Sequence, residues 1–187
     1  MLLAYKVCNY DLGVLTAKEK KIFTVNGFKL PLTWIDTSKI QYKVIKQKLI
    51  LLIAPSLGGF LSFQNLAKSV SEYYNKLKVK FPHKPIIVIS PWGYSWETNF
   101  LSKYPQIELL LGSGPGPGFS GELLHHKHTL WVRPFSLGKS VNFISILDYS
   151  SYLRQNRKWI FGKNIKAKII SLNSSIQEDN HLKKFLK

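Results

Sequence analysis

Apolar positions along the chain fall into short runs separated by polar, glycine- and proline-containing breaks. Residues 49–54 form the longest aliphatic run; with 41–45, across the polar turn Lys46-Gln47-Lys48, they predict a hairpin. Residues 85–90, Pro-Ile-Ile-Val-Ile-Ser, read as a fully apolar strand of the kind buried at the centre of a sheet. Residues 107–111 predict another buried strand, ending in a glycine-rich loop. Between 65 and 80 the spacing changes: Leu66, Val70, Tyr73, Tyr74 and Leu77 share one side of a helix that Pro82 ends. A helix is predicted at 11–23, where Leu12, Leu15 and Ile22 can share a face, Asp11 can cap and Gly27 follows the end. A shorter one covers 96–102. Residues 28–35 predict a short strand interrupted by Pro31, and 130–133 and 141–147 two strands joined by a turn at 137–139. A last strand is predicted at 166–172 and a terminal helix at 179–186, while the basic stretch 152–164 reads as a loop.

This order of strands and helices predicts an α/β layered domain, mixed sheet flanked by helices. A single domain spans 1–187, with 173–187 as a terminal linker and helix. Ligands in such folds sit at the carboxyl ends of strands. Attention therefore falls on the loops at 91–96 and 112–121.

Composition narrows the class. A chain of 187 residues can bury one proper core. With 45% hydrophobic and 20% charged residues it is not disordered, collagen-like or coiled-coil. Cys8 is the only cysteine, so no intrachain disulfide or cysteine-built metal site is expected. No run approaches the roughly 18 apolar residues of a membrane span. Residues 1–6 lack the features of a signal peptide. The expected location is cytoplasmic as written, or periplasmic if an upstream exported segment belongs to the chain.

The chain has 27 Lys+Arg against 10 Asp+Glu, a formal charge of +17. Such a surface attracts nucleic acid by counterion release. Only three of the basic residues are Arg (Arg133, Arg154 and Arg157), however, and the Lys are spread along the whole chain. Arg is the preferred reader of phosphates and bases. Abundant Lys, Asn, Ile, Phe and Tyr also fit an AT-rich coding sequence, so the charge argues weakly for a nucleic-acid partner.

The loop at 112–121 reads Gly-Ser-Gly-Pro-Gly-Pro-Gly-Phe-Ser-Gly. Backbone amides at Gly112, Ser113 and Gly114 can cradle a phosphate. No Lys-Ser/Thr follows and no helix opens directly after, so this is neither a Walker loop nor a dinucleotide fingerprint. Pro115 and Pro117 remove two donors, which favours a rigid turn. Trp92 and Trp96 flank the other loop and can stack on a ring or pack in the core. Arg133, at a strand end, can reach a phosphate.

In order, these segments resemble the calcineurin-like metallophosphoesterases, in particular the 5′-nucleotidase / UDP-sugar hydrolase / 2′,3′-cyclic phosphodiesterase branch. Residues 87–93 are similar to that family's strand ending in Ser-His-x-Gly, and 107–116 to its strand ending in Gly-His-x-His. Residues 129–140, Thr-Leu-Trp-Val-Arg-Pro-Phe-Ser-Leu-Gly-Lys-Ser, resemble the strand that follows. Residues 5–13 resemble its Asn-His loop, 41–55 its hairpin, and 169–179 the strand and helix that leave the catalytic domain. The resemblance covers nearly the whole chain and rests on order and spacing. It implies a sheet lacking the family's first strands.

The resemblance also implies a pair of divalent metal ions, which polarise the phosphoryl oxygen and generate a hydroxide. The matching positions do not carry the ligands. The family's Asp-x-His and Gly-Asp segments are missing from the chain as written. Asn9-Tyr10-Asp11 stands for Asn-His-Asp, or, in a shifted alignment, Cys8 stands at the His. Pro91 replaces the third His, and Gly114 and Gly116 replace the last two. His126 and His128 have the spacing of the lost pair and are the candidate relocated metal ligands; Lys127 between them opposes a divalent cation. The primary expectation is a degenerate domain, its metals lost and without independent phosphatase activity. The alternatives are a phosphoesterase completed by a partner segment or relocated ligands, and a basic nucleic-acid-binding module. Sheet edges exposed by the missing strands imply a homo-oligomer or a partner chain.

Overall fold

The computed structural model describes residues 11–25, 27, 34–59, 62–135 and 140–172. Its centre is a six-stranded mixed sheet of β3 (Gln41–Ile45), β4 (Leu49–Ile53), β5 (Ile86–Ser90), β6 (Leu109–Gly112), β7 (Phe119–Leu124) and β8 (Thr129–Arg133). The spatial order is β3-β4-β5-β6-β8-β7. Strands β4, β5, β6 and β8 are parallel, and the edges β3 and β7 run antiparallel to their neighbours.

Two helices connect the parallel strands: α2 (Phe63–Lys80) between β4 and β5, and α3 (Tyr94–Lys103) between β5 and β6. The chain steps across the sheet in one direction from β4 to β6, so both crossovers fall on the same face. Alternation along the strands then sorts the core. Ile50, Leu52, Ile86, Val88, Leu110 and Trp131 face the helices, where they meet Leu66, Val70, Tyr74, Leu77 and Phe100. Ile87, Leu109, Leu130 and Val132 face the other way. Each fully buried Leu, Ile or Val contributes about 1.5–3 kcal/mol. The four-residue spacing of Leu66, Val70 and Tyr74 makes α2 a stripe matched to that sheet face. Ser62 caps its start, its Oγ accepting from Asn65 N at 3.2 Å.

The second face is covered by an antiparallel pair, β9 (Ser140–Ile146) with β10 (Ile165–Ser171), and by α4 (Tyr149–Arg154). Ile144, Ile146 and Ile165 point to the sheet, while Val141, Phe143 and Ile170 are exposed on the outer side. The architecture is therefore mixed α/β, a six-stranded sheet with helices on one face and a hairpin with a short helix on the other.

Three local expectations are corrected. The helix expected at 11–23 is β1 (Gly13–Leu15) followed by α1 (Ala17–Val25), and β1 pairs in parallel with β2 (Trp34–Asp36). Thr16 caps α1 in place of Asp11: Thr16 N donates to Glu19 Oε2 at 2.7 Å and Glu19 N to Thr16 Oγ1 at 3.2 Å, a reciprocal capping box. Residues 152–164 are not a plain polar loop. They begin inside α4 and hold Tyr152, Trp159 and Asn164 fully buried, with Trp159 Nε1 donating to Glu108 O at 2.8 Å. Residues 119–121, expected to belong to the glycine-rich loop, open the strand β7. Of the strand expected at 28–35, only 34 and 35 are described. The turn at 137–139, the helix at 179–186, Cys8 and Asn9 lie outside the described residues. Among the described residues no helix is long and apolar enough to cross a membrane.

Candidate functional site at the carboxyl ends of the parallel strands

Strands β5 and β6 end side by side, with Ser90 paired to Gly112. The loops that follow are joined to each other. Gly93 N donates to Ser113 O at 2.9 Å and Tyr94 N to Pro115 O at 2.8 Å. The first amides of α3 are thus satisfied by carbonyls of the second loop rather than left for an anion. Gly93 allows this by taking φ 87° at the helix cap. Ser113 Oγ closes the seam by donating to Ser90 O at 3.0 Å.

Beneath the seam lies a buried ion pair. Arg133, the last residue of β8, places Nη1 against Glu97 Oε2, with both side chains out of reach of solvent. Its other donors serve the loop carbonyls: Nε to Pro117 O at 3.1 Å, and Nη2 to Gly114 O at 3.0 Å, Pro115 O at 3.1 Å and Ser113 O at 3.3 Å. Glu97 Oε1 accepts from Ser90 Oγ at 2.9 Å and Ser113 N at 3.2 Å, and Oε2 also accepts from Trp131 Nε1 at 3.1 Å. Burial pushes the Glu97 carboxyl above the ordinary carboxylate range, while Arg133, Ser90 and Trp131 pull it back. Chemically, this arrangement locks the loops: carbonyls point inward onto a guanidinium, and the carboxylate is saturated with donors.

The sequence candidates fall into three groups. Pro91, Gly112, Ser113, Gly114, Gly116 and Arg133 come together here. A side chain at Gly114 would stand 3.1 Å from Pro91 O, and one at Gly116 would overlap Tyr94. Of the amides expected to cradle phosphate, that of Ser113 is taken by Glu97 Oε1, while the carbonyls of Ser113 and Gly114 turn inward to Arg133. Trp92 is a core residue: its Nε1 donates to Pro55 O at 2.7 Å and its ring packs edge-on against Phe63 and Phe100. Trp96 is half exposed and packs on Phe63 at 4.5 Å between ring centres. Asp11 lies elsewhere. It pairs with Lys46 at 3.0 Å, in the turn before β4, at the amino end of the parallel strands.

His126 and His128 do not share a strand face. His125, His126 and Lys127 form a left-handed turn between β7 and β8, with φ 50°, 54° and 72°. His128 sets Nδ1 3.1 Å from Arg157 O and Nε2 3.3 Å from Gln106 O, so its ring is held by the backbone. Among the described residues no three His, Cys, Asp or Glu side chains converge as metal ligands.

Two carboxylates were missed. Glu97 is an acid in a short aromatic helix, and Glu108 interrupts the apolar run 107–111. A charge in such a position must be paired if it is buried, and that was the available signal. Glu108 is buried at the amino end of β6, with Lys78 Nζ 2.9 Å from Oε1 and Tyr149 donating to Oε2 at 2.6 Å. Burial and the Glu108 charge push the Tyr149 and Tyr152 hydroxyls well above the ordinary phenol range.

The order of the strands adds one constraint. It does not reverse between β4 and β6, so the sheet there lacks the crevice that a reversal opens in doubly wound folds. Comparison of the chain with protein-family models, with curated proteins and with solved structures found no match.

Proposed function

We propose that the chain is a metallophosphoesterase-like domain of the 5′-nucleotidase branch whose metal centre has degenerated and which serves as a non-catalytic binding or scaffold domain. One observation carries this reading: three ligand positions suggested by the resemblance, Pro91, Gly114 and Gly116, converge on a seam that has no ligands, whereas Asp11 lies at the other end of the sheet. Pro91, Gly114 and Gly116 meet at the carboxyl ends, and none has a donor side chain. The nearby carboxylate, Glu97, is held by Arg133, Trp131, Ser90 and the Ser113 amide. Divalent ions need His, Asp and Asn donors in fixed geometry. These residues therefore do not fit a dinuclear centre, and no hydrolytic step is assigned to them. The order of apolar strands, the shared hairpin and the Val-Arg-Pro strand end support the scaffold part of the reading.

The test is a phosphatase assay on the purified chain. p-Nitrophenyl phosphate and nucleoside monophosphates are offered with Mg²⁺, Mn²⁺ or Zn²⁺, and bound metal is measured alongside. Turnover no greater than that of the metal in buffer is expected. Metal-dependent turnover that co-purifies with the protein and is lost on adding a chelator would overturn the proposal.

A further inference from the structure

We infer that the cleft between β7 and β10, together with the basic segment leading into β10, binds single-stranded nucleic acid. The cleft has a volume of about 560 Å³, enough for a nucleobase with its sugar. Phe143, Phe161, Lys166 and Lys168 line it, over a floor that includes Gly121 and Ala167. Small residues form that floor: a Cβ at Gly121 would stand 3.0 Å from Leu130 Cδ1 and touch Ala167 and Phe161 at 3.4 Å. Phe143 and Phe161 are 51% and 47% exposed, which leaves aromatic surface open to a ligand. Lys168 Nζ lies over the Phe143 ring, 5.5 Å from its centre, so a cation already sits on one face of this aromatic surface. None of the described lining residues is acidic.

The sequence around the cleft extends the same chemistry. No acidic residue occurs between Asp148 and Glu178. Within that stretch Arg154, Arg157, Lys158 and Lys163 are all exposed, as are Lys166 and Lys168. The backbone that presents them is fixed. Trp159 is buried, and the Asn164 side chain accepts from Ile160 N at 2.7 Å and donates to Lys158 O at 2.9 Å. Aromatic faces with flanking cations on a rigid support are what an unpaired base and its phosphates require. A duplex hides its base faces, so a single strand is the better fit. This site lies beside β9 and β10, apart from the Glu97–Arg133 seam, and does not depend on whether the domain is an enzyme.

The experiment is fluorescence anisotropy with a labelled 20-nucleotide deoxythymidine strand between 50 and 200 mM salt. With about four phosphate contacts, affinity should fall about 50-fold over that range. Phe143→Leu and Phe161→Leu, each confirmed as folded by circular dichroism, should weaken binding about fivefold or more by removing a stacking face. Lys166→Gln with Lys168→Gln should lower the salt slope by about 1.4. The control Lys18→Gln with Lys21→Gln removes equal charge from α1 and should leave the slope unchanged. Phe variants that bind like wild type, a control that matches the cleft pair, or equal binding of a duplex would each overturn the site.

Discussion

The guanidinium of Arg133, at the end of β8, is paired with the carboxylate of Glu97, on α3, and neither side chain reaches solvent. The two residues are 36 positions apart in the chain, and their pairing ties a helix to a strand end under two loops. Each side chain is the other's compensation for leaving water. Glu97→Gln should therefore be severe: both carboxylate oxygens face donors, so an amide NH2 meets a donor whichever way it is turned. The expected loss is about 3–5 kcal/mol, the range for breaking a buried pair. Urea denaturation monitored by tryptophan fluorescence measures it. Replacing both partners by apolar residues would also orphan the loop carbonyls and the Ser90, Ser113 and Trp131 donors, so the pair's own coupling is read from the double-mutant cycle.

Gly112 sits against the same pair. A methyl there would overlap the Glu97 carboxylate and stand 2.8 Å from Arg133 Nη1. Gly112→Ala should destabilise by about 1–3 kcal/mol, since overpacking displaces an ion pair that has no second position. At Gly58 a methyl meets nothing within 4 Å. Gly58→Ala should be neutral or stabilise by up to about 1 kcal/mol through the unfolded chain. Thermal melts should show Gly112→Ala lowered and Gly58→Ala unchanged or raised; equal destabilisation would remove the steric explanation.

Asp36 supplies a pH test. Its carboxyl is lowered from 3.8 to about 2, first by the hydrogen bond from Lys20, then by Ser38. Lys20 Nζ lies 2.6 Å away. A lowered folded value means that the stabilisation is present above the unfolded value and is lost as pH falls from about 4 toward about 2. An NMR titration of the Asp36 carboxyl should show a midpoint near 2, rising toward 3.8 in Lys20→Gln. The stability gap between wild type and Asp36→Asn should close over the same window.

Trp159 tests the corrected reading of residues 152–164. Its ring is stacked on Tyr152 at 4.1 Å between centres, and its Nε1 donates to Glu108 O. Trp159→Ala should cost about 3–5 kcal/mol, as for other buried aromatics. A change under about 1 kcal/mol by calorimetry would mean that the segment is the solvated loop its composition suggests.

Much of the fold could be read from the chain. The runs at 49–54 and 85–90 are too apolar to be anything but buried, and the spacing from Leu66 to Leu77 is helical whatever surrounds it. Boundaries failed where a polar residue had a local partner. Thr16 and Glu19 three positions apart spell a capping box, yet Asp11 stood nearer the apolar positions and drew the helix start forward. The site was legible only in its loops: the glycines and Pro91 marked where the strands end. What fills the space beneath them depends on Glu97 and Arg133 meeting across the fold.

By itself the sequence determined the apolar strands, the long helix, the strand ends and the lack of donor side chains at Pro91, Gly114 and Gly116. These follow from local periodicity and residue chemistry, which need no partner. Only the tertiary structure decided that Arg133 turns inward to the loop carbonyls and that His128 is held by backbone. It alone placed Asp11 at the opposite end of the sheet and set Phe143 and Phe161 with Lys166 and Lys168 around one cleft. Those outcomes depend on pairings between residues far apart in the chain, and pairing energy is settled by burial and distance that no single segment contains.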